Sequence, residues 1–384
     1  MLPTRVRALP VNAMVIVVAL AACEGGGSGV PGASIRDTLF IGVAASRAGD
    51  AGAYAQGVQV AVDHLNAARP RGSSPFAVRL APLEQSSQVI VAASFRDDPR
   101  VIGVVGHTGS AQTMEAAPVY GDVEQGGARG VVAISPTATN PAVTRASEWI
   151  FRVCPTDVDA ARALARYTAD SLKARRVAVV YRNDLFGRGF SRTFVPDVET
   201  RGARILEHDP YLAGVTAWDA YAERLARRDV DAVVIIGGSG DAMDFIRAMR
   251  KAGVNPAVLG TDDVARLGTD PNAATEFAGV RFTSFYAAPN ESAGSAQSPG
   301  QRFAAEFRER FGELPNHQAA LSYDAAMLIG RAALTAGPNR RRIRDWIATV
   351  GRTTPAFDGV TGEIRFDEWG DPIDKPVVIG QVRP

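Results

Sequence analysis

At 384 residues the chain is long enough for two domains, and 46% hydrophobic with 22% charged residues is the balance of an ordinary globular protein, not of a disordered one. Forty-two basic and 41 acidic residues leave a formal net charge of +1, which makes no electrostatic case for nucleic-acid binding, since that usually needs a basic face. Beyond the first 22 residues no stretch is apolar for long enough to span a bilayer.

The chain opens on a leader pattern. Arg5 and Arg7 precede an apolar segment from Met14 to Ala22, and small residues close it before a cysteine in Leu20-Ala21-Ala22-Cys23. A basic start, a short apolar core and a small-residue end make an export signal. The apolar run is well short of the roughly 20 residues of a spanning helix. The closing tetrapeptide resembles a bacterial lipobox, which implies cleavage before Cys23, acylation of its sulfur and a life outside the cytoplasm, in the periplasm or on the cell surface. Residues 1–22 are then signal peptide. Residues 23–37, with the run Glu24-Gly-Gly-Gly-Ser-Gly-Val-Pro-Gly, read as a flexible tether. With Cys23 lipidated, Cys154 has no disulfide partner; a lone cysteine is most often a small buried hydrophobe.

Short apolar runs then alternate with amphipathic segments. Strands are expected at Leu39–Ala44, Phe76–Leu83, Val101–Gly106 and Gly130–Ile134. Helices are expected at Tyr54–Ala68, where Val58, Val62 and Leu65 share one face, and at Ser110 to about Tyr120. The pattern restarts with a helix over Asp157–Leu172, capped at Thr156 or Asp157. Strands from Arg176 and Arg204 and at Ala232–Ile236 and Ala257–Gly260 follow, interleaved with helices at Gly187–Thr200, Trp218–Arg228 and Asp241–Ala252. Two α/β units of similar size result, each with a parallel sheet covered by helices. Three further helices, Arg302–Phe311, His317–Thr335 and Arg340–Thr349, precede a glycine-rich tail of short strands from Phe357 to Val382. Strands after three helices suggest that the chain crosses between the units more than once.

The common catalytic and cofactor signatures are missing from the sequence. Neither a dinucleotide nor a phosphate glycine motif follows a strand, and no G-x-S-x-G elbow or H-E-x-x-H pair occurs. His64, His107, His208 and His317 fall in different elements without partners at metal-ligand spacing. His64 reads as a helix-surface residue, and His107 as either a cleft residue or a structural one. Ile236-Gly-Gly-Ser-Gly-Asp241 is a glycine-rich turn that lets a ligand or an opposing element approach the backbone. No cofactor and no enzymatic activity are expected.

Four motifs sit at expected strand ends, where open α/β sheets bind ligands: Gly106-His-Thr-Gly-Ser-Ala-Gln-Thr113, Ile134-Ser-Pro-Thr-Ala-Thr-Asn-Pro141, Asn183-Asp-Leu-Phe-Gly-Arg-Gly189 and the tail segment Phe357 to Asp371. Together, and behind a lipobox, they resemble the leucine/isoleucine/valine-binding family of periplasmic substrate-binding proteins, from about Thr38 to the C-terminus. The resemblance implies an α/β fold of two Rossmann-like lobes joined by a three-segment hinge. Lobe 1 would comprise residues 38–154 plus 284–354, and lobe 2 residues 155–283 plus 355–384. It implies capture of an amino acid or similar small polar solute between the lobes and delivery to an ABC transporter permease. A sensory protein of the same fold, reporting amides or small acids to a receptor or regulator, is the alternative.

By the same match, Ser110 and Thr139 contact the ligand carboxylate, the backbone of Thr137 and Ala138 lines the site, Asp262 or its neighbour Asp263 accepts the ammonium, and Phe186 closes over the ligand as an apolar lid. Hydroxyls and a helix N-terminus suit a carboxylate, although Ser110 and Thr139 would serve equally well as helix caps. Tyr54 is a further wall. The family's aromatic in the first strand–helix loop has no counterpart in Ala45–Gly52. The family's aromatic after the lobe 2 glycine pair is replaced by Ser239-Gly240, which implies a roomier pocket or a different ligand.

Overall fold

The computed structural model describes residues 38–45, 51–81, 87–214, 217–268, 271–288 and 298–383. The expected signal peptide, Cys23 and the tether lie outside the described residues.

The first sheet holds β1 (Leu39–Ala44), β2 (Phe76–Leu80), β3 (Val101–Gly106), β4 (Ala133–Ser135) and β5 (Ile150–Arg152), all parallel, in the order β2-β1-β3-β4-β5. α1 (Ala51–Ala68), α2 (Gln88–Arg96) and α3 (Ser110–Tyr120) connect its strands. The second sheet holds β6 (Arg176–Arg182), β7 (Arg204–Tyr211), β8 (Ala232–Ile236), β9 (Ala257–Gly260) and β10 (Arg281–Ser284), with α4 (Asp157–Arg166) leading in. α5 (Leu185–Thr200), α6 (Trp218–Ala226), α7 (Ser239–Lys251) and the short α8 (Pro271–Glu276) connect them. Its order, β10-β9-β8-β6-β7, repeats the winding of the first sheet. Every residue of β3 and of β8 is buried, the pattern of parallel strands covered on both faces. The chain thus builds two lobes of the same doubly wound kind.

α9 (Pro299–Phe311), α10 (His317–Ala336) and α11 (Arg340–Ala348) follow β10. α10 returns to the first sheet: Ile329 abuts Gly103 of β3 and Leu65 of α1 abuts Gly330. The tail divides. β11 (Phe357–Gly359) and β12 (Gly362–Ile364) form a hairpin against α10, while β13 (Val378–Gln381) adds to β10 antiparallel at the edge of the second sheet. The resemblance assigns residues 355–384 whole to lobe 2. The hairpin stays with lobe 1 because fully buried Asp324 of α10 accepts from the N–H groups of Val360 (2.8 Å) and Thr361 (3.0 Å). Phe366 packs edge-on against Phe151 of β5, centroids 5.3 Å apart.

Most expected elements form within a few residues of their bounds. The Asp157–Leu172 helix is interrupted: Thr156 closes a capping box with Asp159, and after Arg166 the helix widens into a π turn over Tyr167–Ser171. α2 and β5 are elements the periodicity does not reveal. β5 has three residues, and α2 leaves Val89 and Ile90 exposed, so its apolar pattern points two ways.

Candidate functional site

A cavity of about 390 Å³ opens between the two sheets. In each sheet the strand order reverses beside the first strand, between β1 and β3 in one and between β6 and β8 in the other. Carboxyl ends of strands at such reversals are where open α/β sheets bind ligands. The turns after β3, β4, β6, β7, β8 and β9 all line the one cavity.

The lobe 1 wall is built from hydroxyls and amides. Ser110 is the first residue of α3, and Gly109 takes the capping position without a side-chain bond. Thr156, not Thr139, caps α4. Neither Ser110 nor Thr139 is therefore a helix cap. Ser110 Oγ accepts from the Asn140 N–H at 3.2 Å, and Thr137 Oγ1 donates to the Thr108 carbonyl at 2.8 Å. With its hydrogen committed there, Thr137 accepts from Tyr54 Oη at 3.1 Å. Thr108, Ser110, Gln112, Thr137, Thr139 and Tyr54 all face the cavity. His317 and Gln318, the first two residues of α10, complete this wall.

Ala138 is the exception among the expected site residues. It is fully buried and does not line the cavity. Its N–H donates to Ser135 Oγ at 3.0 Å and its carbonyl accepts from Arg152 Nη1 at 3.1 Å, so its backbone polar groups are committed behind the wall.

The lobe 2 wall is charged. Asp184 caps α5, accepting from the Gly187 N–H at 2.8 Å and from Arg182 Nε at 2.5 Å. Phe186, half-buried, follows it into the cavity with its ring centroid 6.0 Å from Phe190. Asp241 accepts from Tyr211 Oη at 3.1 Å. Asp262, Asp263 and Arg266 come from the short 3-10 helix Asp262–Gly268 after β9. Asp262 is 8% exposed; burial, then the charge of Asp263, pushes its carboxyl well above the ordinary carboxylate range. A cation delivered to that position would reverse the shift. The glycine turn between β8 and α7 has a local reason: a Cβ at Gly237 would lie 1.7 Å from Tyr211 Oη. Gly238, Ser239 and Gly240 face the cavity.

The structure thus brings Ser110, Thr137, Thr139, Phe186 and Asp262 to one cavity and leaves Ala138 behind it. Sequence reasoning misses Arg182, Asp241, Arg266, His317 and Gln318 as lining residues. The first two flank strand ends already in view; the last two precede no motif and reach the cavity only through the return of α10.

The other candidates resolve as structural groups. His107 is buried between Gln88 Oε1 (2.7 Å) and Tyr120 Oη (2.8 Å), and burial lowers its pKa to about 3, so the ring is neutral. His64 links α1 to α9 and α10 through Glu306 and Tyr323, both at 2.8 Å. Cys154 is buried, and burial raises its thiol far above the reactive range. Among the described residues no three His, Cys, Asp or Glu side chains converge as a metal site, and no helix is long and apolar enough to cross a membrane.

The sequence profile of the family described as periplasmic binding protein matches residues 38–383. An "Amino acid binding protein" of Pseudomonas aeruginosa is 26% identical over 345 residues, covering 87% of each chain. "Leu/Ile/Val-binding protein homolog 1" of Brucella abortus is 26% identical over 320 residues, covering 83% of this chain and 82% of its own. Among solved structures, the branched-chain amino acid transporter substrate-binding protein LivJ of Streptococcus pneumoniae, in complex with isoleucine, superposes with a TM-score of 0.78. It covers 90% of this chain and 96% of its own at 23% identity, a likeness of fold.

Proposed function

The chain belongs to the periplasmic binding protein family, and from that premise we propose that it is an extracytoplasmic solute-binding protein that captures an amino acid or a similar small polar solute between its lobes and delivers it to an ABC transporter permease. The observation that carries this reading is the single cavity at the carboxyl ends of both sheets, with hydroxyls on one wall and a buried acid on the other. A free α-amino acid carries a carboxylate and an ammonium at fixed spacing. Ser110, at the N-terminus of α3, and Thr139 supply donors for the carboxylate where the helix dipole also favours it. Asp262, or Asp263 beside it, takes the ammonium. Phe186 supplies an apolar surface from lobe 2. A solute that touches both walls stabilises the closed arrangement of the lobes, so binding and closure are one population shift in which no bond is made or broken.

Residues 38–154 and 284–354 are read as lobe 1, with the β11–β12 hairpin docked on it, and residues 155–283 with β13 as lobe 2. The resemblance of Leu20–Cys23 to a lipobox supports a lipid anchor at Cys23, which keeps the binding lobes beside the membrane.

Thermal unfolding of the ligand-free protein against a panel of amino acids and small amides tests the reading. A solute at about a hundred times its Kd adds about 2.7 kcal/mol of stability. The double substitution Ser110→Ala with Thr139→Ala is expected to weaken the bound amino acid by about 3 kcal/mol, roughly a hundredfold in Kd. A panel that shifts nothing, together with no solute released on denaturation, would overturn the proposal; an unchanged Kd in the double variant would overturn the carboxylate contacts.

A further inference from the structure

Two buried side chains face the cavity at the start of α10. His317 is 6% and Gln318 is 7% exposed, both face the cavity, and neither has a hydrogen-bond partner among the described residues. Their place is fixed by the fold. Asn316 caps α10, accepting from the Ala319 N–H at 3.0 Å. The first turn of α10 is pressed onto α1, where a Cβ at Gly57 would lie 2.1 Å from the Ala319 carbonyl oxygen. The His317 ring also meets Phe285 edge-on at 5.9 Å. These side chains cannot swing to solvent without undoing that packing, so the cavity itself is where they must be satisfied.

Burial, and secondarily the Arg266 charge, lowers the His317 pKa to about 4. At neutral pH its imidazole therefore offers one donor and one acceptor. The Gln318 amide also offers both. An aliphatic group filling this end of the cavity would leave two buried polar groups unpaired. A second carboxylate meets a different obstacle: four aspartates line the cavity against two arginines.

We propose that the first turn of α10 is a specificity subsite, formed by His317 and Gln318, for a neutral hydrogen-bonding group at the distal end of the solute, a carboxamide before all others. The inference rests on the reading of the cavity as an amino-acid site and adds which amino acids it prefers. A carboxamide presents a donor and an acceptor side by side, matching the pair that the two side chains present. A site built to pair a polar group rejects the analogue lacking it far more strongly than an apolar pocket rejects an extra methyl.

Isothermal titration of the full chain, stripped of bound solute by unfolding and refolding, decides the matter. L-asparagine, L-leucine and L-aspartate have the same skeleton and differ only at the distal group; L-glutamine and L-methionine repeat the comparison one carbon longer. At least one amide is expected to bind tenfold or more tightly than its apolar counterpart, with aspartate weaker than asparagine. In Gln318→Met the amide should lose at least tenfold while the apolar counterpart holds or gains; His317→Phe should act in the same direction, and serves if the first variant does not fold. Leucine and methionine binding as tightly as the amides, or a preference unchanged in the variants, would overturn the subsite and leave the amino-acid reading standing. Binding of none of the five would overturn the subsite, while the amino-acid reading falls only if the wider panel also shifts nothing and no solute is released on denaturation.

Discussion

Asp157 is a buried acid whose chemistry is out of balance with its surroundings. It opens α4, is 1% exposed, and neither carboxylate oxygen has a partner in hydrogen-bonding geometry among the described residues. Its neighbours come from both lobes: a Cβ at Gly189 of α5 would lie 3.7 Å from its Oδ2 and 3.3 Å from Asn140 Nδ2. Burial pushes the carboxyl up to about 7 from the ordinary 3.8, with the Thr139 side chain and the Arg152 charge drawing it part of the way back. Between those two values the folded chain holds a proton that the unfolded chain has lost. The contribution to stability is therefore complete below about 3.8 and is lost as the pH rises through about 7, with a ceiling of about 4 kcal/mol. Asp157→Asn keeps a neutral side chain at every pH. Melting temperatures from pH 5 to pH 8 should fall more steeply in the wild type than in the variant; parallel profiles would refute the assignment.

At the level of elements, glycine marks where two backbones must touch. α1 carries Gly52 and Gly57 within one helix, and their surroundings are opposite. Around Gly52 no described residue comes within 4 Å of a Cβ, whereas at Gly57 the Ala319 carbonyl stands 2.1 Å away. Gly52→Ala should therefore stabilise by about 0.5–1 kcal/mol through helix propensity alone. Gly57→Ala should destabilise by about 1–3 kcal/mol through overpacking and move the first turn of α10, and with it His317 and Gln318. Urea unfolding of the two single variants checks both signs. The reverse order of effects would mean that α1 and α10 separate without cost.

The whole molecule is tied together behind the site. Arg152 of β5 is fully buried; its Nε donates to Asp371 Oδ1 at 2.7 Å, and its Nη1 donates to the carbonyls of Ala138 and Asn140 at 3.1 and 2.8 Å. Thr144 Oγ1 donates to the same Asp371 oxygen at 2.7 Å. One guanidinium thus braces the segment that carries Thr137 and Thr139, and the tail supplies its counter-charge. The Phe357–Asp371 motif acts here as a strut from 219 residues away along the chain. Asp371→Ala leaves a buried charge uncompensated and should cost about 3–5 kcal/mol in equilibrium unfolding. Asp371→Asn should cost clearly less, since it keeps the acceptor. Equal, small losses in both would show that the pair is not a brace.

The order of strands and helices, the two-lobe plan and the hydroxyl motifs around Ser110 and Thr139 are written locally, because alternating buried runs and amphipathic helices leave their period in the sequence. The short elements are not: β5 has three residues, and α2 exposes two of its apolar residues, so neither carries enough pattern to be read. Site residues next to strand ends were within reach of sequence reasoning, whereas His317 and Gln318 were not. Nothing in their neighbourhood in the sequence marks them, and they reach the cavity only because α10 returns to pack on α1 after the chain has built the second sheet. The sequence also leaves open whether Ser110 and Thr139 cap helices, and the resemblance places the Ala138 backbone in the site, where the structure does not put it. Both points turn on which of several nearby donors and acceptors meet, and residues distant in the chain, Arg152 and Asn140 among them, decide that by occupying some and leaving others open. Local composition determined which chemistry this protein carries; the packing of remote segments decided where that chemistry points.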